Sequence, residues 1–163
     1  MVSKRLSGET GHRRKFMAIV DDTPECARAV HYAGRRAKNS NGGLVLLYVI
    51  PEHDVQQWIG VQEIMRAEAR EEAETIANRA AERVREAIGI EAEIVIREGN
   101  RAEEINAAVE EDRDIAILVL AAGGAKEGPG PLVSLLAGRG RAFTIPVTVL
   151  PDGLDDGDID ALC

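Results

Sequence analysis

The chain has 163 residues, 45% hydrophobic, 29% charged and only 3% aromatic, with 20 basic against 28 acidic side chains and a formal net charge of −8. That length fits one domain whose core is built from Ala, Val, Ile and Leu rather than rings. The acidic balance argues against a nucleic-acid partner, which needs a basic surface to displace counterions, and no apolar run reaches the length of a membrane span.

Residues 1–14 come first in chain order. Lys4, Arg5, Arg13 and Arg14 stand there against Glu9 alone, so the segment is expected to be a basic disordered tail. It has no apolar stretch of the secretory kind. A domain is expected over 15–151. Phe16–Val20 reads as a first strand. Thr23 is expected to cap the helix after it, with Pro24 at the first helical position, where a missing N–H costs nothing. Cys26, Val30, Ala33 and Ala37 share one face of that helix. Asn39 to Gly43 is a turn cluster, and Leu44–Val49 a second strand.

A loop from Pro51 to about Gly60 holds Trp58, whose ring could pack on the sheet or on a base. A long helix is expected from Val61 to Ile88, its apolar positions stepping by four or three from Met65, with Gly89 as its stop. Glu91–Ile96 alternates weakly and suits a strand near an edge. Asn100 and Glu103 form a capping pair for the next helix. Ile115–Leu120 is a fourth strand, Leu132 to Phe143 a short helix weakened by Gly138 and Gly140, and Ile145–Leu150 a last strand. Pro146 places that strand at an edge. Residues 152–163, with Asp152, Asp155, Asp156, Asp158 and Asp160, are expected to be a solvated acidic tail. Asp155 to Asp160 echoes a calcium loop, but the bidentate Glu of such a loop is missing.

Three of the strands are apolar at every position, which means burial on both faces. Strands alternating with helices then imply a single-domain α/β fold: a doubly wound, five-stranded parallel sheet with helices on both faces. In such sheets ligands sit at the carboxyl ends of the strands. Asp21-Asp22 follows the first strand and could meet Mg2+ or a ligand, or only cap the helix. An aspartyl-phosphate receiver is disfavoured, because strand three ends in Arg97-Glu98-Gly99 and strand five in Pro151-Asp152. The loop from Ala121 to Pro131 carries Gly123, Gly124, Gly128 and Gly130, whose backbone could cradle phosphate, and Lys126, which could add a charge. It contains no Walker motif. Ser134 lies in no nucleophile elbow, and His12, His31 and His53 give neither a serine partner nor metal spacing. No catalytic centre is expected. Cys26 and Cys163 form no CxxC and no disulfide framework, which points to a cytoplasmic location.

The ordered set of segments resembles the universal stress protein family. Ala18 to Glu25 is similar to the family's first strand, Asp and helix start, and Leu46 to Pro51 to its second strand. Arg97-Glu98-Gly99-Asn100 with Ala102 and Ile105 is similar to a Gly-x-Pro-x-x-x-Ile turn. Asp114 to Val119 and Ile145-Pro146-Val147-Thr148-Val149-Leu150 resemble its last two strands. The resemblance covers about Lys15 to Leu150. It implies sheet order 3-2-1-4-5, a homodimer through the last strand (Ile145–Leu150), and in some members ATP between strands one and four. It places Asp21 and the Val49 backbone at adenine, and a Gly-x-x-Gly, nine residues, Gly-Ser/Thr motif at ribose and phosphates. That motif falls here on Ala121, Gly124, Ser134 and Leu135. Gly124 alone matches; a Cβ at 121 or 134 hinders close backbone approach, and Leu135 donates no hydrogen bond.

The reading drawn from these residues is a cytoplasmic stress-response module, regulatory rather than catalytic, taking ATP or another adenine nucleotide with Mg2+. The alternative is a dimeric interaction module without nucleotide. A weak nucleotide hydrolase using Asp21 or Asp22 is a third reading.

Overall fold

A computed structural model of the chain describes residues 3–52, 62–124, 128, 130–138 and 143–163. Strands and helices alternate as β1 (Lys15–Ile19), α1 (Cys26–Asn39), β2 (Gly43–Pro51), α2 (Gln62–Ile88), β3 (Ala92–Gly99), α3 (Arg101–Glu111), β4 (Ile115–Ala121), α4 (Pro131–Gly138), β5 (Val147–Leu150) and α5 (Asp156–Leu162). The sheet order is β3-β2-β1-β4-β5 with every neighbouring pair parallel, as expected for a doubly wound fold.

The uninterrupted apolar runs have a direct cause. Phe16, Ala18, Leu44 and Leu46 face one core, closed by Ala29, Ala33 and Ala37 of α1 and Ala80, Val84 and Ile88 of α2. Their neighbours Met17, Ile19, Val45 and Leu47 face the opposite core, closed by Ile105 and Val109 of α3 and Leu132 of α4. Each strand residue is needed by one layer or the other, and each large side chain buried contributes about 1.5–3 kcal/mol. β3 and β5 are the edges and are only half-buried. Pro146 falls just before β5, where its carbonyl accepts the Leu118 N–H at 3.0 Å and its lack of an N–H costs nothing.

Local signals hold at several boundaries. Gly89 has φ +79° and its N–H returns to Arg85 O at 2.9 Å, ending α2. Asn100 caps α3, its side chain accepting the Glu103 N–H at 3.2 Å. At α1 the expectation fails. The helix begins at Cys26 with Glu25 in the cap position, and Glu25 makes no side-chain cap bond. Thr23 is instead engaged with Asp21, so Pro24 sits in a turn before the helix. The expected reach of α4 to Phe143 is corrected too: Phe143 is outside the helix and packs on the core, while residues 139–142 lie outside the described residues.

Both ends depart from solvated tails. Leu6 N–H donates to Arg113 O at 2.9 Å, and Arg5 Nη1 donates to Val109 O at 2.5 Å and to Ile115 O at 3.3 Å. α3 has no basic residue in its last turn, so Arg5 supplies the donors and positive charge that its carbonyls need. At the other end the acidic repeat is cap chemistry. Asp155 and Asp158 form a reciprocal capping box for α5, and Ile159 is fully buried against the domain.

Candidate functional site

The carboxyl edge of the sheet collects most of the residues selected from sequence. Past β1, Val20 donates its N–H to Leu47 O at 2.8 Å, which carries Asp21 to the edge. Asp21 Oδ1 accepts the Thr23 N–H at 2.9 Å and also the Thr23 hydroxyl, an Asx turn that fixes the carboxylate. Cys26 Sγ donates to the Asp21 carbonyl at 3.5 Å, and burial pushes its thiol above the ordinary value, which disfavours the thiolate.

Beside this turn, Asp21, Glu25, Ala121, Gly130 and Leu132 line a crevice between β1 and β4 of about 20 Å³. That is room for about one water. Val49 and Leu135 line a larger cavity of about 480 Å³ with Gly99, Asn100, Arg101 and Ala102. Asp22 lines neither. It borders, with Asp21, an open space of about 710 Å³ facing Glu68, Glu72, Arg79 and Arg83 of α2. The fold therefore joins Asp21 to Ala121 and Val49 to Leu135, in separate cavities, and turns Asp22 toward α2.

The glycine loop folds on itself. A Cβ on Gly123 would meet Gly128 O at 2.6 Å, so only glycine fits there, and Gly130 adopts φ +86° before α4. Ser134 spends its hydroxyl on Gly130 O at 2.7 Å, the carbonyl just ahead of its own helix. Leu135 is 38% exposed toward the Val49 cavity. Lys126, Trp58 and His53 lie outside the described residues. Among the described residues no cluster of His, Cys, Asp and Glu is placed to hold a metal ion.

Some residues at this edge carry no local signal. Arg28 of α1 donates from Nη2 to Ala122 O at 2.6 Å across 94 positions of sequence, and its Nε is buried with no hydrogen-bond partner among the described residues. It braces the loop from within the protein. Glu25 and Asp152 approach the loop glycines, and nothing near them in sequence announces it. Asn100 and Gly99 did carry a signal: a helix cap directly after a strand of a parallel sheet stands where such sheets bind ligands.

The sequence model of the universal stress protein family matches residues 12–151. No curated protein sequence matches the chain. Among solved structures, the universal stress protein UspA from Lactobacillus plantarum is 16% identical with a TM-score of 0.68, over 86% of this chain and 99% of that one. A universal stress protein in complex with cAMP is 17% identical with a TM-score of 0.58, over 86% and 98% of the two chains. The universal stress protein from Archaeoglobus fulgidus in complex with dAMP is 15% identical with a TM-score of 0.55, over 83% and 96%. At these identities the structural likeness is one of fold.

Proposed function

The chain belongs to the universal stress protein family, and from that membership we propose a regulatory module that takes an adenine nucleotide at the carboxyl edge of its sheet. The observation that carries the reading is the cavity of about 480 Å³ beside Val49, a size suited to a small-molecule ligand. Val49, Ala102 and Leu135 supply apolar wall for a base. Asn100 and the first turn of α3 supply polar groups and a favourable partial charge for what the base carries. Asp21 and Ala121 border a separate crevice. Two structural neighbours were solved with cAMP and dAMP, which supports an adenine ligand here. Asp21, held by Thr23, is suited to positioning rather than proton transfer, so the role proposed is binding without turnover.

The same proposal includes a cytoplasmic location, consistent with the free thiols of Cys26 and Cys163. No helix among the described residues is long and apolar enough to cross a membrane. A homodimer through the last strand belongs to it as well. The nearly filled crevice of about 20 Å³ between β1 and β4 favours a second reading, a dimeric interaction module without nucleotide.

Thermal melts separate the two. An adenine compound at about 100 times its Kd adds about 2.7 kcal/mol of stability, a rise of roughly 5–10 °C for a chain of this size. Leu135→Trp fills the Val49 cavity from an exposed position and should abolish the rise while leaving the unliganded melt in place. No rise with adenosine, AMP, cAMP or ATP selects the second reading.

A further inference from the structure

Arg101 is the first residue of α3, is half-buried and lines the Val49 cavity. Among the described residues its guanidinium makes no hydrogen bond and no ion pair. Other basic residues at this end of β3 are committed to carboxylates. Arg97 lies 2.6 Å from Glu104 and 2.7 Å from Glu111, and Arg66 of α2 lies 3.5 Å from Glu98. Arg101 is thus the one cation among the described residues lining the cavity, and exposed Glu52 is the one anion.

The position is an unfavourable one for a cation. The first turn of a helix is the positive end of its dipole, which attracts acids and opposes bases. The rest of this turn follows that rule: Asn100 caps it, and Glu103 and Glu104 stand within it. Arg101 breaks the rule, and no contact within the described chain offsets the cost. Departures of this kind collect at functional sites, where the compensating partner is a ligand. The cavity of about 480 Å³ on which Arg101 opens supplies the room for one.

We propose that Arg101 is the specificity-determining residue of the Val49 cavity: it holds a single phosphoryl group, so that the ligand is a nucleoside monophosphate. The base part of this rests on the adenine reading above; the phosphoryl part does not. A guanidinium presents its N–H groups as a planar fork that matches two phosphate oxygens at once. An anion placed there pairs with Arg101 and also meets the favourable end of α3, so one group satisfies both. A single cation suits a single phosphoryl group. A triphosphate finds no second cation among the described lining residues and brings further negative charge to a cavity that already holds Glu52. These residues do not fit it, and no step is built on one.

The test is calorimetric titration of the wild-type chain, Arg101→Gln and Arg101→Lys with adenosine, AMP, ATP and ribose 5-phosphate. The wild type should bind AMP about tenfold more tightly than adenosine, and ATP no more tightly than AMP. Arg101→Gln should remove most of that preference while adenosine stays within about twofold, and Arg101→Lys should keep part of it, because an ammonium retains the charge without the fork. Without ligand, Arg101→Gln should melt no lower than the wild type, since a cation leaves the positive end of α3; the lost preference is then not a folding defect. Ribose 5-phosphate carries no base. If it binds the wild type and weakens in Arg101→Gln while adenosine binds neither protein, the adenine reading falls and the phosphoryl assignment stands. Equal affinity of the wild type for adenosine and AMP, or a preference for AMP that survives in folded Arg101→Gln, overturns the proposal and leaves the adenine reading in place. Absence of binding by all four compounds overturns both.

Discussion

His31 Nε2 lies 2.7 Å from Asp160 Oδ1, joining the middle of α1 to the last helix across 129 positions of sequence. The same carboxylate accepts Arg35 Nε at 2.9 Å. Together with buried Ile159 this pair docks α5 on the domain. Asp160→Ala should leave His31, only 8% exposed, without its acceptor and release α5. Amide exchange over 156–162 should then rise to that of a frayed terminus while β1, β2 and β4 keep their protection. Equal loss across the whole sheet would mean that α5 is not a separable unit.

The same contact sets an acid limit. The hydrogen bond from His31, with Arg35 beside it, holds Asp160 below the usual aspartate value of 3.8. A carboxylate lowered by folding stabilises the folded state above its unfolded value, and that contribution goes as pH falls through the folded one. Exchange protection of α5 should therefore vary little through this group between about pH 7 and pH 4 and decline below that. Asp160→Ala should lose this acid-side step specifically. An unchanged step in the variant would assign it to another group.

Gly34 shows packing overriding helix propensity. A Cβ there would stand 2.6 Å from Val84 Cγ2 and 3.2 Å from Ile88 Cδ1, where α1 crosses α2. Alanine is better than glycine in a helix by about 1 kcal/mol, yet overpacking a closed core costs about 1–3 kcal/mol. Gly34→Ala should lower the melting temperature by several degrees. Adding Val84→Ala should return part of the loss, so the double variant is more stable than the sum of the two single ones predicts.

The parallel sheet was legible because Phe16 to Ile19 and Leu44 to Leu47 serve two cores at once, and only burial on both faces explains an unbroken apolar run. Asn100 and Gly89 were legible because caps act within four residues. What escaped was long in reach. Arg5 against Val109 and Asp160 against His31 pair residues more than a hundred positions apart, so each read as a solvated charge in its own neighbourhood. At the edge of the sheet, Asp21 and the glycine loop could be named from strand ends, and Val49 only from the family resemblance. Their division between two cavities follows from which helices line each one, and no spacing encodes that.

Asn100 does two jobs that substitution can separate. It caps α3 and also lines the Val49 cavity. Asn100→Ala should cost about 1 kcal/mol of stability through the lost cap. Asn100→Asp keeps the cap acceptor and should restore stability, but it puts a negative charge in the cavity and should weaken AMP more than adenosine. Calorimetry beside thermal melts reads the two effects apart. A uniform loss for both ligands would make the residue purely structural.

β5 ends the sheet order; its four residues and the proline before it make it a short edge, but its sequence Val-Thr-Val-Leu carries no charge, and no strand pairs with its outer side among the described residues. Val149 is 38% exposed there. An uncharged edge with an exposed valine can take another strand, whereas a lysine there would oppose it. The proposed homodimer uses this edge: the last strands of two copies pair, and Val149 is covered by its counterpart. Light scattering at tens of micromolar should then give twice the mass of one chain. Val149→Lys should convert the protein to monomer without unfolding it, because the position lies outside both cores. A wild-type chain that already runs as a monomer at that concentration would remove the last strand as an interface.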